Sequence, residues 1–135
     1  MHPDVIPLLR AAYPDVQAIY LFGSYATADE RPDSDVDLAL LLPPLTAKAV
    51  GSLALSDLRA TLERRLGREV DLVNVRQVST VFQKEIVWLG RRIDCADVYA
   101  ADEFEMLVLS LYQKLNAERQ GILEEFARTG RAYPV

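Results

Sequence analysis

At 135 residues, 50% of them hydrophobic and 26% charged, the chain fits one globular domain, because two independent cores in that length would each be marginal. The formal charge of 15 − 20 = −5 argues against a long nucleic-acid partner, since an acidic surface gains little from counterion release. The one cysteine, Cys95, excludes a disulfide framework or a cysteine zinc site within the chain. Pro3, Asp4 and Pro7 break up any leader-like apolar run, and no stretch is apolar enough to span a membrane, so the cytoplasm is the expected compartment.

The opening helix is expected over residues 3–12, with its prolines in or near the first turn, where a missing N–H costs little. Val16 to Phe22 is β-branched and aromatic, bounded by Pro14 and Gly23, and reads as a buried strand. Gly23-Ser24 turns the chain, a short helix can begin over 24–28, and Asp29 to Ser34 is a polar loop. A second strand runs from Asp35 to Leu42 and stops at Pro43-Pro44. A helix then begins at Ser52 or Ser56 and ends at Gly67, with Leu55, Leu58, Leu62 and Leu66 near helical spacing. Glu69 to Val75 is a third strand, Val78 to Leu89 a helix, and Arg92 to Cys95 a short edge strand. A long helix over about 100–128 follows, with Phe104, Leu107, Val108, Leu111, Tyr112 and Leu115 as its apolar stripe. Trp88 reads as a core aromatic, Cys95 as a small buried thiol and His2 as a terminal residue. Strands alternating with helices make this an α/β or α+β domain, a small mixed sheet flanked by helices.

The chemistry concentrates in Gly23-Ser24 and Asp35-Val36-Asp37. Residues two apart in a strand share a face, so Asp35 and Asp37 project together while Val36 and Leu38 face the other way. Two carboxylates at the head of an apolar strand repel each other and resist desolvation, which folding alone does not reward. A divalent cation does reward it, because carboxylates are the usual hard-oxygen ligands of magnesium. Asp71, in the similar strand Glu69-Val70-Asp71-Leu72-Val73, completes a three-carboxylate set if the two strands are neighbours; Glu69 is its rival. Gly23 permits a tight turn, and Ser24 offers a hydroxyl and backbone N–H groups to a phosphate. Either pair alone is commonplace, a turn or a helix cap. Phosphate donors at one strand end and metal carboxylates on the next are together the two halves of a phosphoryl-transfer site.

Gly23-Ser24, ten residues, then Asp35-Val36-Asp37 resembles the signature of the DNA polymerase β-type nucleotidyltransferase superfamily. The resemblance implies a nucleotidyltransferase fold in which Gly23 and Ser24 hold the phosphates of an NTP. It implies two magnesium ions, both held by Asp35 and Asp37, with Asp71 binding one and activating the acceptor hydroxyl. Relatives often carry Arg-Gly where this chain has Thr27-Ala28, which leaves the phosphates without one expected cation unless Arg31 replaces it.

The segment from Asp97 to Glu105 further resembles the tail of minimal nucleotidyltransferase (MNT) antitoxins, which pair with HEPN-domain ribonuclease toxins. That resemblance implies AMP transfer from ATP to a tyrosine hydroxyl of a HEPN-family toxin within a hetero-oligomer. The expected organisation is a single domain over 1–135, with a nucleotidyltransferase core to about residue 95 and a partner-binding helix from about 100 to 128. Met106 and Leu109, off the apolar stripe, and Ile122, Leu123 and Phe126 beyond it are the candidate contact residues. Two alternatives remain: an antitoxin that acts by binding alone, and a transferase acting on a small-molecule hydroxyl.

Overall fold

A computed structural model describes residues 3–23 and 35–129. The elements, in chain order, are α1 (Val5–Ala12), β1 (Ala18–Phe22), β2 (Val36–Leu41), α2 (Pro44–Val50), α3 (Asp57–Leu66), β3 (Val70–Asn74), a 3-10 turn (Val75–Gln77), α4 (Thr80–Leu89), β4 (Arg91–Cys95) and α5 (Val98–Thr129). Ser24, Thr27, Ala28, Arg31 and His2 lie outside the described residues, as does the expected short helix over 24–28.

The sheet runs β3-β2-β1-β4; β1 is antiparallel to both its neighbours and β2 is parallel to β3. Side chains alternate along each strand, so each of the two central strands feeds two cores. Ile19, Leu21, Val36, Leu38 and Leu40 pack with Val5 and Leu9 of α1, Ala47 of α2 and Leu62 of α3. Ala18, Tyr20, Ala39 and Leu41 face the other way and pack with Ile86 of α4 and Ala101, Phe104 and Val108 of α5. The parallel β2–β3 pair requires a crossover, and α2 and α3 form it. Among the described residues no helix is long and apolar enough to cross a membrane.

Several side chains depart from the sequence-based expectation. Pro43-Pro44 ends β2 as expected and also begins a helix, α2, for which the sequence offers no expectation. Pro44 occupies the first turn of α2, where its missing N–H is no loss and its fixed φ suits the helix. Ser56 caps α3 by accepting from the Arg59 N–H at 3.2 Å, so Leu55 falls before the helix and is exposed. Trp88 is 62% exposed rather than in the core; it sits over Lys84, whose ammonium also lies 4.9 Å from the ring centre of Tyr112. Cys95 is half-buried. The α5 stripe splits: Phe104 and Val108 are buried and Tyr112 and Leu115 half-buried, whereas Leu107 and Leu111 are exposed. The expected stripe was wider than the strip of α5 that meets the sheet and α4.

Candidate active site

Phe22 is the last residue of β1 and lies opposite Asp37 of β2, which in turn lies beside Asp71 of β3. This register places the two aspartates on the same face of neighbouring strands. Asp71 hydrogen-bonds the Asp37 side chain, and Asp35 acts on Asp37 through its charge. Asp35 itself is exposed, immediately before β2 begins at Val36. Partial burial is the largest influence on Asp37, followed by Asp71 and then Asp35. All three penalise its ionised form and raise its pKa from 3.8 to about 7. Glu69, the sequence rival, and Asp71 are both exposed; the Glu69 carbonyl accepts from the Val36 N–H, and Asp71 is the acidic residue that pairs in register with Asp37.

Burial and the neighbouring carboxylates thus favour the protonated form of Asp37. Folding has brought together oxygens that repel once ionised. Among the described residues no three acidic or other ligating side chains already close on one point as a metal cage. Asp37 and Asp71, with the charge of Asp35 nearby, nevertheless fit a hard divalent cation, which would offset their mutual repulsion.

Gly23 is fixed for two reasons. Its φ is +71°, a conformation glycine adopts without strain. A Cβ at this position would also lie 2.0 Å from Asp37 Oδ2, so any side chain would displace the carboxylate. The sequence supplied the first reason; the second needs the fold. Beside Gly23, Phe22 and Phe82 meet edge-to-face at 5.7 Å and, with Glu85 and Leu89, line a cleft of about 330 Å³. Phe82 gives no sequence signal beyond its place in the α4 apolar pattern. The structure therefore unites Gly23, Asp37 and Asp71, with Asp35 at their margin; Ser24, next in the chain, is outside the described residues.

The chain is similar to known proteins over most of its length. The family described as "Polymerase beta, Nucleotidyltransferase" matches residues 5–99. The protein adenylyltransferase MntA of Shewanella oneidensis is 37% identical over 122 residues, covering 90% of this chain and 84% of its own length. A crystal structure of a toxin-antitoxin with AMP-PNP superposes with a TM-score of 0.69 at 34% identity, covering 92% of this chain and 96% of the other. A structure of tri-AMPylated Shewanella oneidensis HEPN toxin in complex with MNT antitoxin gives 0.63 at 33% identity, covering 92% and 93%. On the strength of these matches, the chain belongs to the polymerase beta nucleotidyltransferase family.

Proposed function

We propose that this chain is an antitoxin enzyme that transfers AMP from ATP to a tyrosine hydroxyl of a cognate HEPN-family toxin and so neutralises it. The observation that carries the reading is the Asp37–Asp71 carboxylate contact beside Gly23. It is supported by a relative named as a protein adenylyltransferase and by a related complex that holds an AMPylated HEPN toxin.

In the reaction the acceptor oxygen attacks the α-phosphorus of ATP, the bond to the β-phosphate bridging oxygen breaks, and pyrophosphate leaves. Asp71, on the outer strand, takes the hydroxyl proton. Asp35, Asp37 and Asp71 are the residues that would hold magnesium, two ions on this reading; bound magnesium would neutralise the phosphates and the charge that develops on the leaving group. Gly23 and Ser24 hold the phosphates through backbone N–H groups and the Ser24 hydroxyl. The apolar cleft of Phe22, Phe82 and Leu89, with acidic Glu85 among its lining residues, suits the nucleoside part of ATP rather than its phosphates. AMP on the acceptor adds bulk and negative charge to the toxin, which repels an RNA backbone. A substrate of magnesium-ATP suits work in the cytoplasm.

The exposed apolar residues of α5, among them Met106, Ile122, Leu123 and Phe126, favour this helix as the partner-binding element of a hetero-oligomer. The deciding experiment is intact-mass spectrometry of the cognate toxin after incubation with this protein, ATP and magnesium. Added AMP mass on a tyrosine is expected. Tight binding without added mass would instead establish neutralisation by binding alone, and transfer only to a small hydroxyl compound would reassign the substrate.

A further inference from the structure

β3 is the outermost strand on its side of the sheet. α3 closes one end of its free edge: the Val70 N–H donates to Glu63 Oε2 at 3.1 Å, and the Val70 carbonyl accepts from Arg59 Nε at 2.7 Å. The Val36 N–H donates to the Glu69 carbonyl, which fixes the odd-numbered residues of this strand as those turned toward β2. Leu72, like Val70, therefore directs its N–H and C=O outward, and among the described residues neither group meets a partner.

A cavity of about 360 Å³ adjoins this stretch, lined by Leu53 and Ala54 of the loop after α2, Leu72 and Asn74 of β3, and Gln77 and Val78. Asn74 is 3% exposed. Its Nδ2 donates to the Ala47 carbonyl at 2.9 Å and the Gly51 carbonyl at 2.8 Å, which sets the orientation of the amide. Oδ1 is left as a buried acceptor without a donor. Native interiors rarely tolerate such an atom, and the cavity beside it gives a donor somewhere to stand.

We propose that the open edge at Leu72 and this cavity dock an extended segment of the protein substrate, which adds an antiparallel strand to β3 and carries the acceptor hydroxyl. The inference rests on the AMP-transfer reading above. Its logic is the alternation of side chains along a strand. The segment residue opposite Leu72 shares the backbone pair of hydrogen bonds. Its side chain lies on the face of Leu72 and Asn74, where it enters the cavity and donates to Asn74 Oδ1. Its neighbour in sequence, opposite Asp71, rises on the other face, where Asp37 and Asp71 meet. Opposed residues of such a pair hold their Cβ atoms roughly 4.5–5.5 Å apart, so this second residue projects its side chain over the face where Asp37 and Asp71 lie. Recognition is thus of two adjacent residues: one with a donor for the cavity, and one bearing the hydroxyl. With Val70 already bonded to α3, only a short edge is open, which suits a substrate that must leave after modification.

The test uses the full chain and its cognate HEPN toxin. In the wild-type complex the Leu72 amide should exchange with solvent at least about ten-fold more slowly than in the free chain. Ala54→Trp, at an exposed position on the cavity wall, should raise KM for the toxin roughly ten-fold while kcat at saturating toxin and the ATP-induced rise in Tm persist. Unchanged Leu72 exchange together with an unchanged KM would overturn the proposal. So would protection of Leu72 by ATP alone, which would make the cavity a nucleotide subsite. If Ala54→Trp loses the ATP response through misfolding, Ser52→Trp and the wild-type exchange measurement decide. If the wild-type chain fails to modify the toxin, the AMP-transfer reading falls. Leu72 exchange in the bound complex then still reports whether the edge is a docking strand, and its absence overturns that too.

Discussion

At Asp37, burial, Asp71 and Asp35 together hold the pKa near 7, well above the 3.8 of an ordinary aspartate. Between those values the native chain keeps a proton that the unfolded chain has released. Metal-free stability therefore falls as pH rises from about 4 to 7 and levels off above that. Asp37→Asn should flatten this slope, leave stability at pH 8 equal or higher, and abolish AMP transfer. Urea denaturation in chelator at pH 5 and pH 8, alongside a transfer assay, checks all three; full activity in the variant would remove Asp37 from the machinery. The neighbouring glycine makes a second prediction. Gly23→Ala places a methyl carbon where Asp37 Oδ2 now lies and demands a positive φ of alanine. A stability loss of about 1 kcal/mol or more is expected, with transfer lost more severely than stability. Calorimetry and the same assay separate the two effects, and a fully active Gly23→Ala would refute the packing argument.

Helix α5 packs on the sheet through a narrow strip and leaves most of its length exposed. Its 32 residues span roughly 48 Å at 1.5 Å per residue. Ala101, Phe104 and Val108 anchor it to the sheet, and Tyr20 donates to Glu105 at 2.8 Å while Arg92 of β4 pairs with Glu105 and Asp102. From residue 116 to 128 every position except half-buried Glu125 is exposed, Ile122, Leu123 and Phe126 included. Met106 is 70% exposed and Leu107 53%, whereas Leu109 is half-buried, so the better pair of surface substitutions is Met106→Ser with Leu107→Ser. This double variant should fold and bind ATP normally while losing about ten-fold to a hundred-fold in toxin affinity, the scale of one or two truncated interface contacts. Titration calorimetry with the toxin measures it; wild-type affinity would move the docking surface off this part of α5.

On the scale of the whole molecule, the site is assembled from three strands and completed only by ligands. On the proposed reading, magnesium would relieve the repulsion between Asp37 and Asp71, and the phosphates of ATP would add ligands to it. The two should therefore raise Tm together by more than the sum of their separate effects. Each ligand at a hundred-fold excess over its Kd is worth roughly 2.7 kcal/mol if it binds only the native state. Thermal melts with neither, either and both ligands check the synergy. Strict additivity would mean that they occupy independent sites.

Much of this was legible in one dimension. A Gly-Ser pair, two aspartates two apart at the head of an apolar strand and a third in a similar strand suggest a site through type and spacing, because a strand's two-residue period is rigid. Strand positions were likewise legible from β-branched runs between turn residues. Three things were decided only in the fold. The choice of Asp71 over Glu69 as the partner of Asp37 depends on the β2–β3 register, a long-range pairing that no local pattern encodes. Helix α2 was hidden because Pro43-Pro44 ends a strand and begins a helix with the same restricted φ. The faces of Trp88, Leu107 and Leu111 were misjudged because helical periodicity gives the direction of a stripe but not its width, which is set by how much of the helix the sheet and its neighbours cover. The orphaned Asn74 Oδ1 and the unpaired edge at Leu72 exist only where α2, α3 and β3 meet, and that junction is tertiary.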